Sequence, residues 1–335
     1  MTVRTITAPA GLAALPTQGV APISREAWAV TRPDVHLAAT DTGGLAARAS
    51  VWWTHPPADP ERPGARIGCI GHLDGRHADA LAVVVSEALD VLRQNGASRV
   101  VGPMDGSTWH AYRVVSDASP EGTSHPPFAL EPWPPARVEE ALRAGGFEPV
   151  AHYHSALFPQ IPDRSEALSE RLGLAEEKGV TLRRLDPHRA EAELGTLYDL
   201  SLDAFARNPY FAPILREAFL ATYRPLVPRI DPRLLLVAEH HRQPVGVVFG
   251  LADWNEAARG ETVRTLVFKT LAVRRALMGQ GLGSLLSLAL EEAAREMGLT
   301  RSIHALMHDA NRSVRISQRR EVDLIRRYAL LGRKL

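Results

Sequence analysis

Laid against itself at an offset of 202 positions, the chain repeats. Arg93 falls on Arg295, Gly96 on Gly298, Arg99 on Arg301 and Val101 on Ile303, with no gap between them. The helix-like runs ahead of these glycines coincide too, Val84 with Leu286 and Val91 with Ala293. Near the end of each half, Val150-Ala-His-Tyr153 matches Ile325-Arg-Arg-Tyr328 at a different offset. A match of this extent is one α/β unit used twice, each copy reading strand, helix, strand, short helix, strand. At 335 residues the chain also exceeds the usual size of a single core, so two domains are expected.

Hydrophobic periodicity supplies the elements. In the first half it predicts strands at Val35–Thr40, Ala47–Thr54, Arg66–Gly71 and Arg99–Pro103, a helix over His77–Gln94 that stops at Gly96, a short helix at Pro135–Ala144 and a strand at Glu148–Phe158. Residues 1 to about 34, rich in Pro, Ala, Gly and Thr, read as a loosely packed lead-in. In the second half it predicts strands at Val180–Arg184, Arg233–Glu239, Pro244–Ala252, Glu261–Val273 and Arg301–Met307, with helices at about Pro187–Ala206, Ile214–Leu226 and Leu282–Met297. The expected division is a first domain over 1–160, a connector over 161–179 and a second domain over 180–335.

Composition narrows the function classes. With 45% hydrophobic and 23% charged residues the chain reads as an ordinary globular protein, and a net charge of +1 gives no case for nucleic acid or an anionic membrane. The arginines at 312, 315, 319, 320, 326 and 327 read as a solvated helical face. Cys69 is the single cysteine, which rules out internal disulfides and thiolate-rich metal sites. The pairs His240-His241 and His152, His154 lack carboxylate or thiolate partners at ligand spacing, so no metal is expected. No apolar run approaches a membrane span, and a cytoplasmic protein is expected.

The second half holds the chemistry. In Thr265–Gly283 an apolar strand runs into Gly279-Gln-Gly281-Leu-Gly283 and then into an Ala- and Leu-rich helix. Glycines let the backbone turn and approach a ligand, and the unpaired N–H groups of a first helical turn favour an anion. At the same offset the first half carries His77, Asp79 and Leu81, and Asp79 would repel a phosphate there. A nucleoside-triphosphate loop needs Gly-Lys-Ser/Thr, whereas Gly283 is followed by Ser284-Leu285. A dinucleotide fingerprint needs a different glycine spacing.

The pattern Met278-Gly279-Gln280-Gly281-Leu282-Gly283 resembles motif A of the GNAT acyltransferase superfamily, with Met278 standing where Gln or Arg is usual. Asp309-Ala-Asn311-Arg-Ser313 resembles motif B. The resemblance implies α/β (α+β) architecture in two tandem GNAT-like domains, each a mixed, mostly antiparallel sheet flanked by helices. The first copy is expected to lack a cofactor site. It further implies acetyl-CoA, or another short acyl-CoA, as co-substrate. Gly279, Gln280, Gly281, Leu282, Gly283 and Ser284 would hold the diphosphate, while Leu271, Ala272, Val273, Asn311 and Ser313 would line the pantetheine arm. The implied reaction is acetyl transfer from the thioester to a small-molecule or peptide amine. A non-catalytic acyl-CoA-binding or partner-binding module is the alternative.

Such a transfer needs a neutral amine, a polarised carbonyl and a proton for the departing thiolate. An alkylammonium of pKa ~10.4 is about one part in a thousand neutral at pH 7, a cost of roughly 4 kcal/mol that a base recovers in part. His304, His308, Asp309, Glu239 and Asp253 are base candidates, with His308 the best placed. The family's motif-B tyrosine position is Gln318 here, which leaves Tyr328 as the acid candidate or as a packed tyrosine like Tyr153. In this family the first two helices and their connection line the acceptor pocket. Asp203 could there meet a cationic amine, with Tyr210 and Phe211 as apolar wall.

Overall fold

The computed structural model describes residues 1–116, 125–309 and 322–335. The first half runs β1 (Thr2–Ile6), α1 (Arg25–Thr31), β2 (Val35–Asp41), β3 (Gly44–Trp52), β4 (Ile67–Gly75), α2 (Ala78–Gln94), β5 (Arg99–Gly102), β6 (Val114–Val115), α3 (Ala136–Ala144) and β7 (Glu148–Phe158). The second runs α4 (Ser165–Glu176), β8 (Val180–Arg184), α5 (Ala190–Phe205), α6 (Arg216–Tyr223), β9 (Leu235–His240), β10 (Gln243–Ala252), α7 (Trp254–Ala258), β11 (Thr265–Val273), α8 (Leu282–Glu296), β12 (Arg301–His308) and β13 (Asp323–Lys334).

The strands form one sheet in the order β1-β2-β3-β4-β5-β13-β7-β12-β11-β10-β9-β8, with β6 paired to β13. Two neighbouring pairs, β4/β5 and β11/β12, are parallel. Read outward from the β13/β7 pair, the order is equivalent in both directions, as a two-fold relation between the halves requires. The last strands are exchanged: β13 of the second half lies against β5 of the first, and β7 lies against β12.

The repeat is visible in the helix caps. Gly96 and Gly298 both adopt the left-handed backbone, φ +79° and +83°. The next amide reaches back in each case, Ala97 N to Leu92 O and Leu299 N to Ala294 O, both at 3.0 Å. Between strand and helix the copies differ in length. The ends of β4 and β11, Gly75 and Val273, correspond at an offset of 198, whereas Arg99 and Arg301 beyond the helices correspond at 202. Residues 76–77 alone separate β4 from α2, whereas residues 274–281 separate β11 from α8, and this longer connection is the glycine loop.

Residues 1–34 depart from expectation. β1 pairs antiparallel with β2 over Thr2–Ile6 and Ser24 caps α1, its hydroxyl accepting from Ala27 N at 3.0 Å. Ile6, Leu12, Leu15, Val20, Ile23 and Trp28 bury together against Ala38 and Leu45. Their irregular spacing carries neither helix nor strand period, so the segment looks loose until the sheet edge it covers is known.

In the second half, alternation along the strands serves two helical layers. Leu236 and Ala238 of β9 face α8, whose Leu286, Leu290 and Ala294 are buried with them. Leu235 and Val237 face α5 through Leu200 and Ala204.

Candidate active site

The glycine loop ends in an uncapped helix. Gly279 and Gly281 sit at φ +86° and +89°, a region that glycine enters without steric cost. Gly281 is the N-cap of α8 and offers no side chain to the first-turn amides, and that turn contains no acidic residue. A Cβ built on Gly279 would meet nothing within 4 Å, and one on Gly281 only Arg171 Nη1 at 4.0 Å. The counterpart α2 is closed: His77 Nδ1 accepts from Ala80 N at 3.2 Å and Asp79 stands in the first turn. Gln280 and Gly281 open onto a cavity of about 290 Å³ lined also by Arg171, Lys178 and His240. Arg171 lies on α4, within the stretch expected to be only a connector.

Beside this loop the sheet splays. β11 and β12 pair from Thr265/Arg301 to Phe268/His304 and then part. Beyond that point β12 is irregular against β7 between His304 and Met307, with Leu306 at φ +60°. Among the described residues, the edge of 269–273 facing β12 carries no ladder, so the main chain of Leu271, Ala272 and Val273 borders a gap. Ala272 and Val273 are buried; Leu271 is half-buried, its side chain 3.6 Å from where a Cβ on Gly283 would stand.

The first half furnishes the floor of that gap. Lys269 Nζ donates to Leu130 O at 3.1 Å, Arg113 Nη1 to Leu306 O at 3.3 Å, and Leu306 N to Ser155 Oγ at 3.0 Å. Burial, then the Arg113 charge, brings the Lys269 ammonium down to about 8. Burial likewise brings the Arg113 guanidinium down to about 10, although it stacks over Tyr112 and Tyr153 at 3.9 and 4.0 Å. Sequence reasoning missed Lys269 and Arg113. A lysine inside an otherwise apolar strand was the available signal for the first.

His308 ends β12 half-buried, its ring edge-on to Tyr153 at 5.0 Å, and burial lowers its pKa. Tyr328 is fully buried. Its hydroxyl donates to Glu131 and lies 3.1 Å from Ser155 Oγ, and burial followed by the Glu131 charge pushes its pKa well up. Arg326 Nε donates to the same Glu131 oxygen at 2.8 Å, so Arg326, expected on a solvated helical face, is instead a buried residue of β13. Asn311 and Ser313 lie outside the described residues.

Of the acceptor candidates, Asp203 accepts from Arg275 N at 2.8 Å and Arg275 Nε at 3.2 Å, tying α5 to the start of the glycine loop. Those bonds, the backbone one first, lower its pKa. Tyr210, at φ +57°, is 2% exposed and packs with Trp52, Ile67, Cys69, Val101 and Met104 of the first half. The first-copy edge that corresponds to the gap beside β11 is closed by its own chain, Met104 N donating to Ile70 O at 2.8 Å and His72 N to Asp105 Oδ1 at 2.6 Å. Phe211 packs on Trp109 at 5.9 Å. Under α5 and α6 lies a cavity of about 80 Å³ that reaches Thr270 of β11. Among the described residues no group of three or more His, Cys, Asp or Glu side chains could hold a metal ion, and no helix is long and apolar enough to cross a membrane.

Comparison with known proteins agrees with this geometry. The bacterial ceramide synthase of Caulobacter vibrioides is 27% identical over 195 residues, 56% of this chain and 50% of that protein. The chain thus spans about half the length of that curated relative. A GCN5-related N-acetyltransferase from Anabaena variabilis superposes with a TM-score of 0.56 at 8% identity, over 99% of this chain and 73% of that one. The glucosamine N-acetyltransferase region of a fungal multi-domain GH3 β-N-acetylglucosaminidase gives 0.53 at 15%, over 93% of this chain and 35% of that one. At such identities the structural likeness is one of fold. The family model of the GNAT acetyltransferases matches residues 197–319, the span that holds the C-terminal part of α5, the splayed strands and the glycine loop. The second half of this chain carries a GNAT-family acetyltransferase domain.

Proposed function

We propose that the chain is an acyl-CoA-dependent N-acyltransferase working from its second half. The observation that carries this reading is the uncapped, acid-free N-terminus of α8 beside a parallel strand pair that parts after Phe268. The diphosphate of the donor lies on the amides of Gly279–Ser284, where helix dipole and unpaired N–H groups favour it. The pantetheine arm runs back along Leu271–Val273; Asn311 and Ser313, which the family resemblance also assigns to it, lie outside the described residues. A main-chain N–H of that edge then polarises the thioester oxygen.

The amine nitrogen attacks the thioester carbon, the new C–N bond forms, and the C–S bond breaks. The amine gives up a proton and the thiolate gains one. Lys269 stands on the unpaired edge of β11 and His308 at the end of β12, and both are base candidates. Burial lowers both, which raises the share of the neutral form that a base requires. Tyr328 has its hydroxyl bonded to Glu131 inside the core, so it supports the fold of the site. The likeness to a protein named a ceramide synthase favours acyl transfer over other uses of the fold.

The test is release of free CoA from acetyl-CoA and longer acyl-CoAs across a panel of primary amines, alongside calorimetric binding of CoA. Turnover with at least one amine is expected. Tight CoA binding with no turnover on any amine leaves only the binding-module alternative.

A further inference from the structure

The cavity under α5 and α6 has a chemistry the reading above leaves unused. Its walls are Leu197 and Ser201 of α5, Phe219 and Tyr223 of α6, Phe249 of β10 and Thr270 of β11, with Trp109 entering from the first half. No charged side chain lines it. The Trp109 indole N–H already donates to Ala212 O at 2.7 Å. The Tyr223 hydroxyl is held neutral, its pKa pushed up to about 12 by burial. An ammonium or carboxylate placed here would lose its hydration and meet no opposite charge, only the hydroxyls of Ser201, Tyr223 and Thr270. An alkyl chain would gain instead, about fourfold in affinity per methylene, the ratio set by ~0.8 kcal/mol.

Position links the cavity to the reacting atoms. Thr270 immediately precedes Leu271–Val273, the edge assigned to the pantetheine, and its neighbour Lys269 reaches into the same gap. A substrate whose reacting end rests on that edge therefore has the cavity one residue away. We infer that this cavity of about 80 Å³ receives the part of a saturated aliphatic chain nearest the reacting group, making the substrate a lipid. Donor and acceptor could each bring such a chain, as a long-chain acyl-CoA or as a long-chain alkylamine. The choice of substrates rests on the acyltransferase reading; the binding of an alkyl chain does not.

The binding experiment uses 12-bromododecanol with the full chain, because bromine quenches a nearby indole. Quenching is expected, most of it lost in Trp109→Phe. In Ser201→Phe and Val227→Phe, which fill the cavity from separate walls, the probe should bind at least tenfold more weakly. Circular dichroism establishes that each variant is folded. Equal binding in both filled variants, or no quenching in the parent, overturns the inference. Turnover then separates the sources. Acyl-CoAs of two to sixteen carbons with one amine, and alkylamines of the same lengths with acetyl-CoA, are compared in the parent and the filled variants. A preference for longer chains in either series, shifted to shorter chains by filling, supports the inference and names the source. Length-independent turnover in both series overturns it. If no pair releases CoA while the bromoalkanol still binds in the parent and not in the filled variants, the acyltransferase reading falls and the alkyl site stands.

Discussion

Tyr153 of β7 and Tyr328 of β13 stand directly opposite one another in the antiparallel ladder at the centre of the sheet. They are the matching residues of the two repeats, so the two-fold relation between the halves passes between them. Their surroundings have diverged. The Tyr153 ring carries the Arg113 guanidinium at 4.0 Å, whereas the Tyr328 hydroxyl is spent on Ser155 and Glu131. The same divergence recurs at larger scale, where one copy has an open strand gap and the other has Met104 and Asp105 bonded to the equivalent edge of β4.

Gly283→Asp separates helix stability from anion binding. The new carboxylate would sit in the first turn of α8, where the helix dipole favours it by ~0.3–1 kcal/mol, and a Cβ there has only ordinary contact with Leu271 at 3.6 Å. Thermal unfolding should be unchanged or slightly raised while CoA affinity falls at least tenfold in titration calorimetry. Undiminished affinity would place the diphosphate elsewhere.

Tyr210→Phe should stabilise the protein. The hydroxyl is buried with no hydrogen-bond partner among the described residues, and burial pushes its pKa up to about 12. Removing a desolvated, unbonded oxygen while keeping the ring is worth about 1 kcal/mol. Urea unfolding measures it, and a loss of stability would mean that the hydroxyl is bonded in solution.

Glu131→Ala leaves Arg326 in a buried position with one fewer partner. Arg326 is 1% exposed, holds His125 O through Nη2 at 2.6 Å and lies over Trp133 at 4.3 Å. Breaking one side of such a pair costs about 3–5 kcal/mol. Denaturant midpoints of parent, Glu131→Ala and Glu131→Gln should fall in the order parent, Gln, Ala. A parent-like midpoint for Ala would show the pair to be dispensable.

Acid should weaken the first half before carboxylates titrate. His36 Nδ1 meets Ser50 Oγ at 2.8 Å in the core, and burial, with Arg48 and His72 nearby, brings its pKa down to about 3. Burial brings His110 down to about 4. Both are neutral when folded and take a proton near pH 6.5 when unfolded, so stability is present above pH 6.5 and is lost as pH falls toward 4. Each contributes about 1.4 kcal/mol per pH unit across that window. In His36→Gln the slope of stability against pH from 6.5 to 4.5 should be shallower by about that amount, and an unaltered slope would contradict the assignment.

Much of the fold was legible because it is local. The strand over Val180–Arg184 appears as expected, Gly96 and Gly298 end their helices as matching caps, and the Gly279–Gly283 loop leads into α8. What escaped depends on contacts between distant parts of the chain. Lys269 meets Leu130 across 139 positions and Tyr328 meets Glu131 across 197. Asp203 reads as a free carboxylate until Arg275 is seen beside it. Residues 1–34 look loose because their apolar residues answer to a neighbouring surface and follow no period of their own. The exchange of β7 and β13 leaves no mark on either strand's pattern, since both are apolar strands wherever they pair.

That exchange also sets an order of events during synthesis. β5 emerges from the ribosome with its free edge facing a strand, β13, that is translated more than two hundred residues later. Until those residues arrive, the first half has a bare, apolar strand edge of the kind that recruits other chains. The pairing of β7 with β12 needs no residue of β13, so the edge of β5 is the one that waits longest for its partner.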